Sequence, residues 1–315
     1  MGSVVLSIDA ELGWGFHDLQ SPPIDRIESG RRGWTRLIEL LEAYDVPATW
    51  GIVGHLMLDT CDGRHEAHPT PDNWFAQERT RWKHREDLRF APALVQRLLQ
   101  SPVDHEVACH SFSHVEFDRE TTTRDIAAAE IERSLEIASE WGLHLNSFIF
   151  PRNGVGHREV LADYGLQTYR GPSTGSLGLR RMVAGLLDEE ALLVTPTVDE
   201  YGLVNVPASL FLFGFERPWR SIVKSVWRDP MVACATRGIE HAARSDGVCH
   251  LWLHPNNLVG RYDDDRMKRI LEVIDTQRNE HGLRVETMGA VSQRTEATIE
   301  ANPENQTAEM LADGG

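Results

Sequence analysis

Short apolar runs alternate with amphipathic stretches along most of the 315-residue chain. VVLSID, residues 4–9, has the continuous apolar character of a strand buried on both faces. After Pro23, one helical stripe gathers Ile27, Trp34, Leu37, Ile38, Leu41 and Tyr44, and it ends before Pro47. ATWGIV at 48–53 predicts a second strand, and HEVAC at 105–109 a third after the helical APALVQRLLQ. A further helix is expected over 123–141, with Gly142 as its C-terminal cap. SFIF (147–150), LQTYR (166–170), LVNV (203–206), CHLWL (249–253) and LRVET (283–287) bring the strand candidates to eight. Apolar strands in repeated β-then-α order imply a parallel sheet covered by helices, and eight of them can close into a barrel.

Three stretches interrupt this rhythm. Residues 55–90 are polar and carry Trp74 and Trp82, as expected of a lid or a substrate-binding excursion. Residues 208–230 are rich in aromatic and Arg side chains and read as a second insertion at the barrel mouth. Residues 295–315 are acidic and poor in large apolar side chains, so a disordered tail is expected there. The reading is one α/β domain over 1–294 with two insertions, followed by the tail.

Composition narrows the function classes. The formal charge is −16, and only three of the 32 basic residues are lysines. Such an acidic surface repels phosphate, so nucleic acid is not an expected partner. Lysine scarcity beside abundant acid fits either a salt-rich cytoplasm, hence a halophile, or a GC-rich genome, and composition does not choose between them. No stretch approaches the ~20 apolar residues of a membrane span. Asp9 follows the start too soon for a secretory signal peptide, so a cytoplasmic protein is expected. The sequence leaves the oligomeric state open.

In a parallel barrel, chemistry gathers where the strands end. The first run ends in Asp9-Ala10-Glu11, and the third leads into His110-Ser-Phe-Ser-His114. The fourth leads into Pro151-Arg152-Asn153-Gly154, and CHLWL into His254-Pro255. Residues four apart share one face of a helical turn, so His110 and His114 can grip one metal ion. Asp9 and Glu11, two apart, project to the same side of an extended strand end. One carboxylate can then bind metal while the other takes a proton from water. Cys61, Cys109, Cys234 and Cys249 show no Cys-x-x-Cys spacing and read as buried thiols. His65 and His68 lie in a polar loop with no strand before them, and no site is expected there. Trp14, Trp74, Trp82 and Trp219 are candidates to stack on a sugar ring, Trp14 foremost because it follows the carboxylates.

VLSIDAELGWG, DVPATWGIVG, ACHSFSHVEF, FIFPRNGVG and LWLHPNN resemble, in order and spacing, the motif series of the polysaccharide deacetylase superfamily, carbohydrate esterase family 4 and relatives. The resemblance spans about residues 4–288. It implies a distorted (β/α)7-type barrel, a divalent metal that is usually Zn2+, and hydrolysis of an N- or O-acetyl group or a related C–N bond on a small-molecule or glycan substrate. It also implies that His110 and His114 are metal ligands, Asp9 the general base, His254 the general acid and Arg152 the residue that orients the base. Leu253 would line the acyl pocket. Apart from the resemblance, Trp14 and Asn153 are candidates to bind substrate. Two positions depart from the pattern. Ala10 stands where a second Asp is usual, and Glu11 is its replacement as ligand; the opposite assignment, with Asp9 ligating and Glu11 as base, stays open. Arg152 is displaced relative to its proline, which puts its role in question. A metal-dependent N-deacetylase is therefore expected, with an allantoinase-like hydrolase and a non-catalytic sugar-binding protein as alternatives.

Overall fold

β1 (Ser3–Ala10) is buried along its whole length and has two distinct faces. Val4, Leu6, Ile8 and Ala10 join the large core beneath the helices, whereas Val5 joins a smaller cluster inside the sheet's curl. Period-two alternation therefore sends Ser7 and Asp9 inward, above Val5. The computed structural model describes residues 2–71, 73–172, 192–213 and 229–301.

The other strands are β2 (Thr49–Ile52), β3 (Glu106–Cys109), β4 (Ser147–Ile149), β5 (Thr168–Arg170), β6 (Thr197–Val198), β7 (Val204–Asn205), β8 (Leu210–Phe211), β9 (Val248–Leu253) and β10 (Arg284–Glu286). They form one sheet in the order β6-β7-β5-β4-β3-β2-β1-β9-β8, with β10 beside the start of β1. Every pairing is parallel except β6 with β7. The sheet curls into the distorted (β/α) barrel that the sequence predicts. All eight expected strands are present. β6 and β8, two residues each, are additional and too short to show a period.

Among the described residues no ladder joins β7 to β8. The chain itself closes that seam, since residues 206–209 run directly from one to the other. His250 stitches it: Ser209 N donates to the His250 carbonyl at 2.8 Å, and His250 N donates to Ser209 Oγ at 2.9 Å.

The helices are α1 (Ile24–Tyr44), α2 (Ala76–Arg79), α3 (Glu86–Arg89), α4 (Pro92–Leu99), α5 (Arg124–Glu140), α6 (Arg158–Asp163), α7 (Pro230–Arg244), α8 (Arg261–His281) and α9 (Met288–Ala301). The predicted stripe of α1 is buried, with Trp34 stacked 5.5 Å from Trp50 of β2. α5 starts on Thr123, whose hydroxyl accepts from Ile126 N, and ends before Gly142 at φ +70°. α9 plugs the bottom of the barrel, where Met288 and Val291 pack with Val5, Ala108, Ile149, Val204 and Val248. Its first N–H groups are received by Thr49 Oγ1 (2.8 Å) and Glu106 Oε2 (3.0 Å). α9 continues to Ala301, into the stretch expected to be a structureless tail, because its buried face seals the barrel; the remainder, 302–315, lies outside the described residues. So do Trp219 and most of the 208–230 insertion.

The 55–90 excursion is packed, not loose. Phe75 and Trp82 are buried, and Trp74 donates its indole N–H to Ser113 Oγ at 2.9 Å.

Candidate active site

Glu11 lies one residue beyond β1, on the face shared with Ser7 and Asp9. Opposite it stands the loop after β3. His110 to His114 form no helical turn: Ser111 (φ +56°) and His114 (φ +65°) are left-handed, and this irregular backbone points both rings inward. The i, i+4 spacing thus pairs the histidines by a different geometry from the one expected. His110 Nδ1 donates to the Ile149 carbonyl at 2.6 Å, which leaves Nε2 as the unprotonated nitrogen. Glu11 Oε2 is 3.0 Å from His114 Nε2 and 3.7 Å from His110 Nε2. Both nitrogens are buried and neither has a hydrogen-bond partner.

Buried, orphaned imidazole nitrogens converging on a buried carboxylate are costly unless something else binds there. The donor set fits a divalent metal ion. Burial works to raise the Glu11 pKa, but the charge of the facing His254 leads the effects that hold it well below the usual carboxylate range. Burial lowers the His114 pKa against the opposing pull of Glu11. Gly15 makes room for the carboxylate, since a Cβ there would lie 2.2 Å from the Glu11 carboxyl carbon.

Asp9 is held differently. Arg170, the last residue of β5, grips it with Nη1–Oδ1 at 2.6 Å and Nη2–Oδ2 at 2.7 Å. The same guanidinium reaches Ser7 Oγ (3.0 Å) and Asn153 Oδ1 (2.9 Å) and lies 4.7 Å from the Trp252 ring. Burial raises the Asp9 pKa, and the charge and hydrogen bonds of Arg170 outweigh that to leave it lowered. His254, partly open to solvent, sits between the carboxylates, with Nε2 3.8 Å from Asp9 Oδ2 and 3.7 Å from Glu11 Oε1.

Three expected placements change. Arg152 does not reach Asp9: its left-handed backbone (φ +51°) carries the guanidinium outward to Asp18 (2.6 Å) and Glu116 (2.9 Å), and Arg170 takes the position expected of it. Leu253 does not face the pocket. Along β9 it alternates with His250, Trp252 and His254 and joins the helix-covered core with Cys249 and Leu251. Trp14 is fully buried, with its indole N–H on the Arg89 carbonyl (3.0 Å) and its ring 4.2 Å from His55, so no face is free for a sugar. Asn153 remains at the site through Arg170.

Trp252 and Phe211, 4.4 Å apart, instead form the aromatic wall beside His254. Glu130 of α5 was also not singled out. It is fully buried and receives Ser113 Oγ (2.6 Å), Ser113 N (2.7 Å) and His68 Nε2 (2.9 Å), fixing the histidine loop from behind. A Glu among Ile126, Ala127, Ile131 and Ile137 on the apolar face of α5 was the signal that could have found it. His65 and His68 diverge: His68 goes to Glu130, and His65 turns toward His55, Cys61 and Glu78.

A sequence profile of the family described as polysaccharide deacetylase matches residues 22–170. Over that segment, just under half of its length, the chain is similar to the polysaccharide deacetylase family. That match contains His110, His114 and Arg170, whereas Asp9, Glu11 and His254 join them through the fold. A Mycobacterium smegmatis protein assigned as a polysaccharide deacetylase superposes with a TM-score of 0.62 at 15% identity, over 94% of this chain and 90% of its own. A Pseudomonas aeruginosa PAO1 protein with the same assignment gives 0.60 at 12% identity, over 92% and 89%. The PuuE allantoinase also gives 0.60 at 12% identity, over 94% and 90%. Likeness at these identities establishes a shared fold. No curated protein matches the chain by sequence. No helix among the described residues is long and apolar enough to cross a membrane.

Proposed function

We propose that the protein is a metal-dependent N-deacetylase of an N-acetylated sugar or glycan precursor. The observation that carries this reading is the pair of buried, unpartnered Nε2 atoms of His110 and His114 facing Glu11, with Asp9 and His254 beside them. Glu11, His110 and His114 would hold the ion, and two imidazoles with one carboxylate suit zinc. When bound, such an ion supplies a Lewis acid for the acyl carbonyl and lowers the pKa of a nearby water.

The chain's own residues do the rest. Asp9, kept ionised and aimed by Arg170, accepts the proton of the attacking water. His254 Nε2 delivers a proton to the departing nitrogen, and its partial exposure places it on the side from which substrate arrives. Each proton transfer contributes roughly 10²–10⁴-fold. Trp252 and Phe211 offer a flat apolar wall suited to the acyl group or a sugar face.

Acetate release from free, nucleotide-linked and polymeric N-acetyl sugars tests the reading, with a ureide run in parallel. The expected result is acetate release abolished by chelation, restored by zinc and absent in His110→Ala. Acetate release that persists in chelated protein and in His110→Ala would overturn it. Turnover of the ureide alone would move the substrate to the class named by the allantoinase.

A further inference from the structure

A second group of metal-ligating side chains lies in the 55–90 excursion, away from the Glu11 site. His55, Cys61, His65 and Glu78 bring one candidate ligand atom each to within 4.8 Å of one another. His65 Nε2 is 3.2 Å from Cys61 Sγ and 2.8 Å from Glu78 Oε2, and His55 Nε2 is 3.2 Å from Glu78 Oε1. The ligand atoms of a tetrahedral zinc ion stand roughly 3.3–3.6 Å apart, so these contacts need only open by a few tenths of an ångström, and the wider separations close, to form a coordination shell.

The hydrogen-bond pattern leaves the cluster unfinished. His55 is fully buried, and neither of its ring nitrogens makes an aligned hydrogen bond, although Nε2 faces the Glu78 carboxylate. His65 Nε2 faces both a sulfur and a carboxylate, and one ring N–H cannot point at two acceptors well. Glu78 is fixed from outside: Arg89 donates to Oε1 through Nε (2.9 Å) and Nη2 (2.5 Å), which leaves Oε2 toward the cluster. Arg89 Nη2 also holds the Cys61 carbonyl at 3.2 Å. Orientation of ligands by such outer partners is what metal sites use.

We propose that His55, Cys61, His65 and Glu78 bind a second, structural zinc ion. A thiolate with two imidazoles favours a borderline-soft cation over Mg2+ or Ca2+, and four protein ligands leave no open position for chemistry. Binding displaces the Cys61 thiol proton to solvent. A cleft of about 480 Å3 lined by His65, His68 and Phe112 gives access from the surface.

The ion would pin the excursion against the active-site loop. His55 N donates to the Phe112 carbonyl at 3.0 Å, Gly54 N to that of Ser111 at 2.9 Å, and the His55 ring lies between Trp14 and Phe112. The Glu11 site contains no sulfur, so sulfur spectroscopy separates the two. Cobalt-loaded protein is expected to show a thiolate-to-cobalt charge-transfer band that survives in His110→Ala and disappears in Cys61→Ser. In the unaltered protein, zinc should slow alkylation of Cys61 at least about tenfold, an effect reversed by chelation. This second readout needs no variant to fold. Cobalt uptake without the band, a band that survives Cys61→Ser, or Cys61 alkylation indifferent to zinc would each overturn the proposal.

Discussion

Arg170 is the residue on which most of the candidate site turns. One buried guanidinium joins Ser7 and Asp9 of β1 to Asn153 after β4 and to the Trp252 ring of β9. Removing one partner of a buried pair leaves an uncompensated charge, so Arg170→Met should cost about 3–5 kcal/mol of stability. With Asp9 no longer aimed, kcat/KM should fall by roughly 10²-fold or more. Arg152→Ala breaks only partly exposed pairs and should lose under about 1 kcal/mol, with activity near that of the unaltered protein. Urea unfolding and acetate release on both variants measure the contrast; equal losses would return Arg152 to the role expected from its motif. The sequence placed Asp9, Glu11, His110, His114 and His254 near one another because all follow apolar runs. Arg170 escaped because it ends its strand and lies far along the chain from Asp9, which only the curl of the sheet brings close. Likewise, His55, Cys61, His65 and Glu78 follow no short repeat, and a folded excursion is needed to unite them.

At the scale of elements, the helix interfaces depend on a few buried polar joints. Asp229 begins α7, accepting Met231 N at 3.0 Å, and its other oxygen receives Arg266 Nε (2.7 Å) and Tyr262 OH (2.8 Å) from α8. Asp229→Asn keeps a capping oxygen for Met231 N but removes the charge facing Arg266, and should lose about 2–4 kcal/mol from the buried pair alone. Burial raises the Asp229 pKa, but Arg266 outweighs it and leaves the value lowered. The stabilisation is therefore present above the unfolded carboxylate pKa near 3.9 and is lost as pH falls through the lower native value. Denaturant curves for the two proteins should draw together as pH falls below the unfolded carboxylate pKa near 3.9; a constant gap would show that packing and not the charge dominates. α1 meets the His254 turn just as closely, for a Cβ on Gly33 would lie 1.9 Å from the Pro255 carbonyl oxygen. These joints were illegible in the sequence because a strand or helix pattern reports which face is buried, not what lies across it. The strands themselves were legible because their apolar runs are continuous.

Across the whole molecule, buried neutral histidines set the acid limit. Burial holds His17 at about 4 and, with the Arg170 charge, His250 at about 3. His250 donates through Nδ1 to the seam carbonyls of Val206 and Pro207 and accepts Ser7 Oγ–H at Nε2, 2.9 Å away. A histidine depressed in the native state contributes stability fully present above the unfolded pKa near 6.5 and lost as pH falls through the native value. Unfolding free energy should therefore decline from about pH 6.5 downward, each such histidine adding up to about 1.4 kcal/mol per pH unit. Urea titrations between neutrality and pH 4 read that slope, and a flat profile over this range would show that these rings take up protons in the native protein just as they do in the unfolded chain.

The α9 plug has a consequence for traffic. With Met288 and Val291 seated among the inward side chains of β1, β3, β4, β7 and β9, the barrel is a cup and not a tube. Among the described residues the plugged end leaves Asp9, Glu11 and His254 no exit through the bottom, so whatever reaches them crosses the opposite rim and leaves by it. Arrival and departure then share one doorway, so a departing fragment that lingers there delays the next arrival.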